Sequence, residues 1–177
     1  MLNFSKTEIA GVVVVQPEPV LDERGSFARA YCRREFAQSG IDFVPVQISF
    51  SVSARRGTLR GLHFQRPPQP EAKLVSCTRG FAFDVAVDLR ADSPTYGHWS
   101  AAELTSTARN ALYIPPGCAH GFQTREDDTE LLYLISEFYD PSLERGVRWD
   151  DPALDIAWPA EPTVISERDC SFPDFPW

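Results

Sequence analysis

Short runs of β-forming residues, cut at close intervals by glycine and proline, leave this chain little choice of fold. Residues 12–15, 47–52, 58–64, 73–78, 81–89, 111–114 and 130–136 are rich in aliphatic and aromatic side chains, and each has the length of a strand. Between them stand Gly57, the run 66–70, Gly80, Ser93-Pro94, residues 115–117 and Asp140-Pro141, which set turn geometry or cannot donate to a strand ladder. The spacing predicts an all-β sandwich or barrel. Only residues 31–38, closed by Gly40, read as a helix. At 177 residues the chain is long enough to bury a full core, and one domain is expected over 1–177. Fifteen prolines and four tryptophans, with Pro173 and Pro176 near the end, predict an irregular tail lying on the barrel surface.

The stretch 81–89, FAFDVAVDL, alternates strictly. Phe81, Phe83, Val85, Val87 and Leu89 share one face; Ala82, Asp84, Ala86 and Asp88 share the other. A lumen lined by small residues and a carboxylate leaves room for a ligand, although the same pattern also suits a face that meets water. The expected core includes Leu74, Phe83, Val85 and Val87, with Asp84 facing a cavity.

A net charge of −8 argues against a nucleic-acid partner, which needs a basic face. An anionic small ligand needs only local cations, for which Arg24, Arg60, Lys73 and Arg168 are candidates. No apolar run of about 18 residues suggests a membrane span. The opening MLNFSKTEIAG has neither the basic flank nor the apolar core of an export signal, so the expected location is the cytoplasm. Cysteines 32, 77, 118 and 170 form no CxxC pair and are expected to be reduced, mostly core thiols.

Two histidines sit in informative settings. His120 closes Pro115-Pro116-Gly117-Cys118-Ala119-His120, which resembles the P-x-G-x-x-H element of the second cupin motif, where a turn delivers a histidine into a β-barrel mouth. His63 lies in GTLRGLHFQ. Metal-binding cupins place a His-x-His pair there, whereas His63-Phe64-Gln65 offers one imidazole and one amide. Divalent sites prefer three or more imidazole or carboxylate ligands, so no metal is expected.

Taken together, DERGSF at 22–27, LRGLHFQ at 59–65, EAKLVSCTRGFAFDVAVDLR at 71–90, LYIPPGCAHGF at 112–122, LLYLISEFYDPSLERGVRWDDP at 131–152 and ISERD at 165–169 resemble the dTDP-4-dehydrorhamnose 3,5-epimerase family. The resemblance implies a cupin-type jelly-roll β-barrel with few short helices, a homodimer with strand exchange, no cofactor, and a nucleotide-diphosphate 4-keto sugar as substrate. It implies His63 as a base oriented by Asp169, Tyr133 as the acid and Lys73 as the cation that stabilises the enolate. Tyr139 falls where the family stacks on the nucleotide base. Arg24, Phe27, Gln47, Arg60, Glu144 and Arg168 match positions that hold the diphosphate or sugar, and Asp84 and His120 complete the candidate substrate-binding set.

The chemistry has its own logic: inverting a carbon beside a ketone needs a base on one face, an acid on the other and a cation or donor for the enolate oxygen. Against it stands a structural reading in which Lys73, Arg60 and Asp84 form an ion-pair network and Tyr133 is a strand aromatic. Arg60 and His63 have opposite parity, so an ideal strand sends them to opposite sides; both reach one site only if Gly61 marks a bulge. Tyr139 shares the face of Tyr133 if that strand continues so far.

Two departures bear on the substrate. Gln47-Ile48-Ser49-Phe50-Ser51 stands where the family usually reads Gln-Asp-Asn-His-Ser, and Arg29 stands where glutamate is usual. A CDP- or GDP-linked sugar, inversion at one carbon only, a metal-dependent cupin, and a non-catalytic sugar-nucleotide-binding cupin remain alternatives on sequence alone.

Overall fold

The computed structural model describes residues 1–175; Pro176, part of the expected tail, lies outside them. The strands are β1 (Leu2–Lys6), β2 (Val13–Pro17), β3 (Val20–Asp22), β4 (Gly25–Phe27), β5 (Gln47–Ser53), β6 (Leu59–Gln65), β7 (Lys73–Arg79), β8 (Phe81–Asp88), β9 (Trp99–Thr105), β10 (Ala111–Ile114), β11 (Cys118–Thr124), β12 (Thr129–Ile135) and β13 (Glu144–Gly146). The helices are α1 (Arg33–Gln38), inside the expected span, and α2 (Glu167–Cys170). Two antiparallel sheets are built in the orders β1-β2-β10-β7-β12-β5 and β13-β6-β11-β8-β9, and β3 and β4 form a separate hairpin. Such non-sequential neighbours are the crossovers of a jelly roll.

Three apolar layers hold the sheets. Between them, Val75, Cys77, Leu112, Ile114 and Leu131 meet Ala82, Ala86, Leu104, Cys118 and Phe122. The small face of β8 therefore points into the barrel, not into water. Its large face supports a second layer: Val85 and Val87, both fully buried, pack with Leu62, Ala119, Val147, Leu154 and Phe175 under the C-terminal segment. Phe83 is only half-buried there, edge-on to Trp158 at 6.1 Å, because the covering tail is irregular. On the far side, Phe36 of α1 and Phe43 close over Leu74, Ala111 and Tyr113. Cys77 and Cys118 are buried, Cys32 is half-buried and Cys170 is exposed; all are free thiols.

At one end of the barrel Asp88, with no exposed side-chain surface, gathers the loop after β8. Its carboxylate pairs with Arg90 at 2.7 Å and accepts from the hydroxyls of Ser93 at 2.5 Å and Thr95 at 2.7 Å. Burial pushes this carboxyl up, but the Arg90, Ser93 and Thr95 hydrogen bonds more than offset it and hold it at about 2. A carboxyl depressed in the folded state stabilises above its unfolded value and loses that contribution as pH falls through the folded one. Asp88→Asn should therefore cost about 2–4 kcal/mol at pH 7. In urea melts the gap to wild type should narrow steadily from about pH 4 to pH 2; a gap that does not change with pH would contradict the assignment.

Candidate active site

The site is made possible where β6 crosses β11. Arg60 pairs with Phe122 and His63 with His120, so three steps along β6 match two along β11. The extra residue is the bulge that the opposite parity of Arg60 and His63 required, and both side chains line the same cavity. Gly61 sits there at φ +128°, where a Cβ would lie 2.5 Å from Cα of Gly121. A Cβ on Gly121 would in turn meet the Arg60 carbonyl at 2.8 Å. Only two glycines let the strands approach so closely.

The cavity, about 300 Å³, lies in the barrel mouth between β5, β6, β7, β11 and β12. On one wall His63 Nε2 is 2.9 Å from Asp169 Oδ1, while Asp169 Oδ2 accepts the Gly61 N–H at 2.9 Å. Ser166 caps α2 by accepting the Asp169 N–H, which fixes the carboxylate on its short helix. Burial pushes Asp169 up, but the hydrogen bonds from His63 and Gly61 outweigh it, so the carboxyl lies below its ordinary range. With Nε2 engaged, Nδ1 is the free ring nitrogen of His63.

On another wall His120 Nε2 contacts Asp84 Oδ1 at 2.8 Å, and the His120 ring meets Tyr133 edge-on at 5.6 Å. Asp84 is fully buried with Oδ2 unpartnered; it stands behind His120 and does not itself line the cavity. Burial raises its carboxyl despite His120 and Lys73 nearby. Tyr133, half-buried on β12, is raised well above the ordinary phenol range by burial and by Asp84, with Arg60 opposing. Lys73 is 8 % exposed; its Nζ lies 2.9 Å from Glu71 and donates to the His63 carbonyl at 3.3 Å.

At the rim, Tyr139 donates to Glu144 at 2.6 Å, and Glu144 pairs with Arg168 at 2.6 Å. The Tyr139 N–H donates to Gln47 at 2.5 Å. Strand β12 stops at Ile135, so Tyr139 does not continue it. Gln65 instead fixes the turn, donating to the Phe138 carbonyl and accepting the Asp140 N–H. Arg168 lies over Phe172 at 5.6 Å, and Phe172 meets the His63 ring edge-on at 5.6 Å. A wider groove of about 1060 Å³ along β9 contains His98 and Trp99 but no carboxylate-backed histidine among the described residues. Nor do the described residues gather three His, Cys, Asp or Glu side chains into a metal-binding group.

Residues 6–176 match the family model described as dTDP-4-dehydrorhamnose 3,5-epimerase. The chain belongs to this family. A dTDP-4-dehydrorhamnose 3,5-epimerase of Sinorhizobium fredii is 45% identical over 173 residues, 97% of this chain and 89% of that protein. A dTDP-4-dehydrorhamnose 3-epimerase of Streptomyces niveus is 44% identical over 162 residues, 91% of this chain and 78% of that one. The crystal structure of the Bacillus anthracis 3,5-epimerase with TDP and PPi bound superposes with a TM-score of 0.95 at 34% identity, covering 98% of this chain and 99% of that one.

Within the epimerase fold of this chain, most of the candidate residues converge. Gln47, Arg60, His63, Lys73, His120, Tyr133, Tyr139 and Glu144 line the cavity, with Asp169 and Arg168 directly behind or beside them. Arg24 and Phe27 do not: they stand exposed on the β3–β4 hairpin, Arg24 paired with Asp22. Arg29 pairs with Glu35 at the α1 end and lines a separate surface hollow. Of the departures from family pattern, Ser49 and Phe50 are the ones that reach the cavity.

Glu71 and Phe172 belong to the site as well, although neither was among the candidate residues. Glu71 was legible in principle, since it lies two residues before Lys73 in extended chain. Phe172 follows no period, and its place depends on Gly146, where a Cβ would come within 2.3 Å of the ring. Gly61→Ala should lower stability by at least about 2 kcal/mol in denaturant melts, because the backbone and the Gly121 contact both forbid a side chain. The same variant should lose activity beyond its unfolded fraction; a fully active, equally stable variant would contradict the role given to the bulge.

Proposed function

We propose that this protein inverts one or both carbons beside the ketone of a dTDP-linked 4-keto-6-deoxyhexose, with His63 taking a proton from one face and Tyr133 returning one to the other. The observation that carries this reading is the shared cavity, in which a carboxylate-backed imidazole, a high-pKa phenol and a buried lysine converge.

The division of labour follows from the surroundings of each group. Asp169 stays ionised, fixes the His63 proton on Nε2 and steadies the imidazolium that forms when Nδ1 accepts the substrate proton. Tyr133 keeps its proton until the enolate presents a carbon to receive it, and Arg60 stabilises the phenolate left behind. Lys73, with His120 nearby, faces the oxygen that gains charge in the enolate. Tyr139 offers a ring at the rim for the base, and Arg60 and Arg168 suit the diphosphate.

The exposed Arg24 and Phe27 fit a homodimer in which the β3–β4 hairpin completes the site of the other copy. Ile48, Phe50 and Val52, 65%, 67% and 48% exposed on β5, provide an apolar face for the same contact. No described helix is long and apolar enough to cross a membrane. Cytoplasmic work on a nucleotide sugar accords with this reading.

Incubation with the 4-keto sugar nucleotide in deuterated water should place deuterium at each carbon that inverts. His63→Asn should lose exchange and inversion together. Tyr133→Phe should still exchange, with the label returned to the original face, while net inversion falls by about 10²-fold or more. Normal inversion by Tyr133→Phe, or free exchange by His63→Asn, would overturn the assignment. For the nucleotide, calorimetry should rank dTDP above CDP, GDP and UDP. A tighter fit for another base would show that Ser49 and Phe50 redirect recognition.

A further inference from the structure

Lys73 has three N–H donors, and the protein occupies two of them in a fixed direction. One meets the Glu71 carboxylate at 2.9 Å and one the His63 carbonyl at 3.3 Å. The Lys73 and Glu71 side chains are only 10% and 12% exposed, and both residues line the reaction cavity. A lysine in this setting without a partner would swing on its flexible stem, because ammonium donors carry no preferred fork geometry. A buried ammonium also needs a counter-charge. Asp84, the other acid nearby, is already bonded to His120. Glu71 thus supplies both charge and direction.

From this the geometry points to Glu71 as a positioning residue for the reaction: by holding Nζ against the His63 carbonyl, it aims the third N–H of Lys73 at the enolate oxygen. The inference rests on the enolate role proposed for Lys73 and deepens it. The shared carbonyl has a second consequence. Because Nζ is referenced to the backbone of the residue that carries the base, proton removal and enolate stabilisation are held in register, as preorganised catalysis requires.

A mutant cycle on the full-length protein tests it, with deuterium wash-in from a dTDP-linked 4-keto sugar as the rate and dTDP calorimetry as a check that the site is folded. Lys73→Ala should lower kcat by about 10²-fold. Glu71→Ala should lower kcat by roughly tenfold with KM within about twofold, and Glu71→Gln, which keeps an acceptor oxygen, should recover most of that loss. In the Lys73→Ala background, Glu71→Ala should cost nothing more, since its effect runs through the lysine. A further tenfold loss in that background, or a Glu71→Ala defect confined to KM, would overturn the positioning role while leaving Lys73 in place. Full kcat in Lys73→Ala would remove the enolate role of the lysine, and the role of Glu71 with it.

Discussion

Everything in the cavity depends on how closely β6 and β11 can approach. Between Arg60 and His63 the strand carries one residue more than its partner, and the contact of Gly61 with Gly121 leaves no space for a Cβ on either. That local irregularity turns two side chains of opposite parity toward one cavity. It also presents the Gly61 N–H to Asp169, so the bend that aims His63 and the carboxylate that orients it are parts of one hydrogen-bonded unit. The backbone defect and the chemistry share a cause.

A second constraint is charge. A barrel lumen is a poor place for isolated ions. Four groups of this site have a partner of opposite charge or a carboxylate behind them: His63 with Asp169, His120 with Asp84, Lys73 with Glu71 and Arg168 with Glu144; Arg60 donates instead to the Val52 carbonyl and the Ser53 hydroxyl. Two of these pairs contain a histidine and two are permanent ion pairs, arranged around Tyr133, whose hydroxyl has no hydrogen bond among the described residues. The phenol is thus left free to act on a ligand, and its raised pKa keeps it a donor until one arrives. Small residues on the inner face of β8, Ala82 and Ala86, let Phe122 and the aromatic pair of His120 and Tyr133 occupy the lumen without filling it.

Much of the fold was legible because strict alternation and turn residues act locally. Strands β7, β8, β10 and β12 fall within a residue or so of expectation, and the lumen face of β8 follows from its small residues. Strand β11 was not among the expected strands, since Gly121 interrupts a run whose seven residues are all buried by neighbours on both sides. Strand β9, with Ser100, Ala101, Ala102 and Glu103, has little strand preference and takes its form from pairing with β8. The hairpin of β3 and β4 and the four-residue α2 are too short for any period to show. In the site, His120 was marked by its motif, and the bulge at Gly61 followed from strand parity once Arg60 and His63 were taken to share a site. Asp169, 106 residues from His63, entered only through resemblance, because spacing says nothing about contacts made by tertiary folding. Phe172 depends on the absence of a side chain at Gly146, which no linear pattern records.

The central claim is that a base and an acid address opposite faces of one sugar. A crystal structure of the His63→Asn variant with a dTDP-linked 4-keto sugar tests it most directly. The account requires the carbon beside the ketone to lie between residue 63 and Tyr133, with each side chain about 3–3.5 Å from it on opposite faces, and Lys73 Nζ within hydrogen-bonding distance of the keto oxygen. A sugar seated with both side chains on the same face, or with the ketone turned away from Lys73, would contradict it.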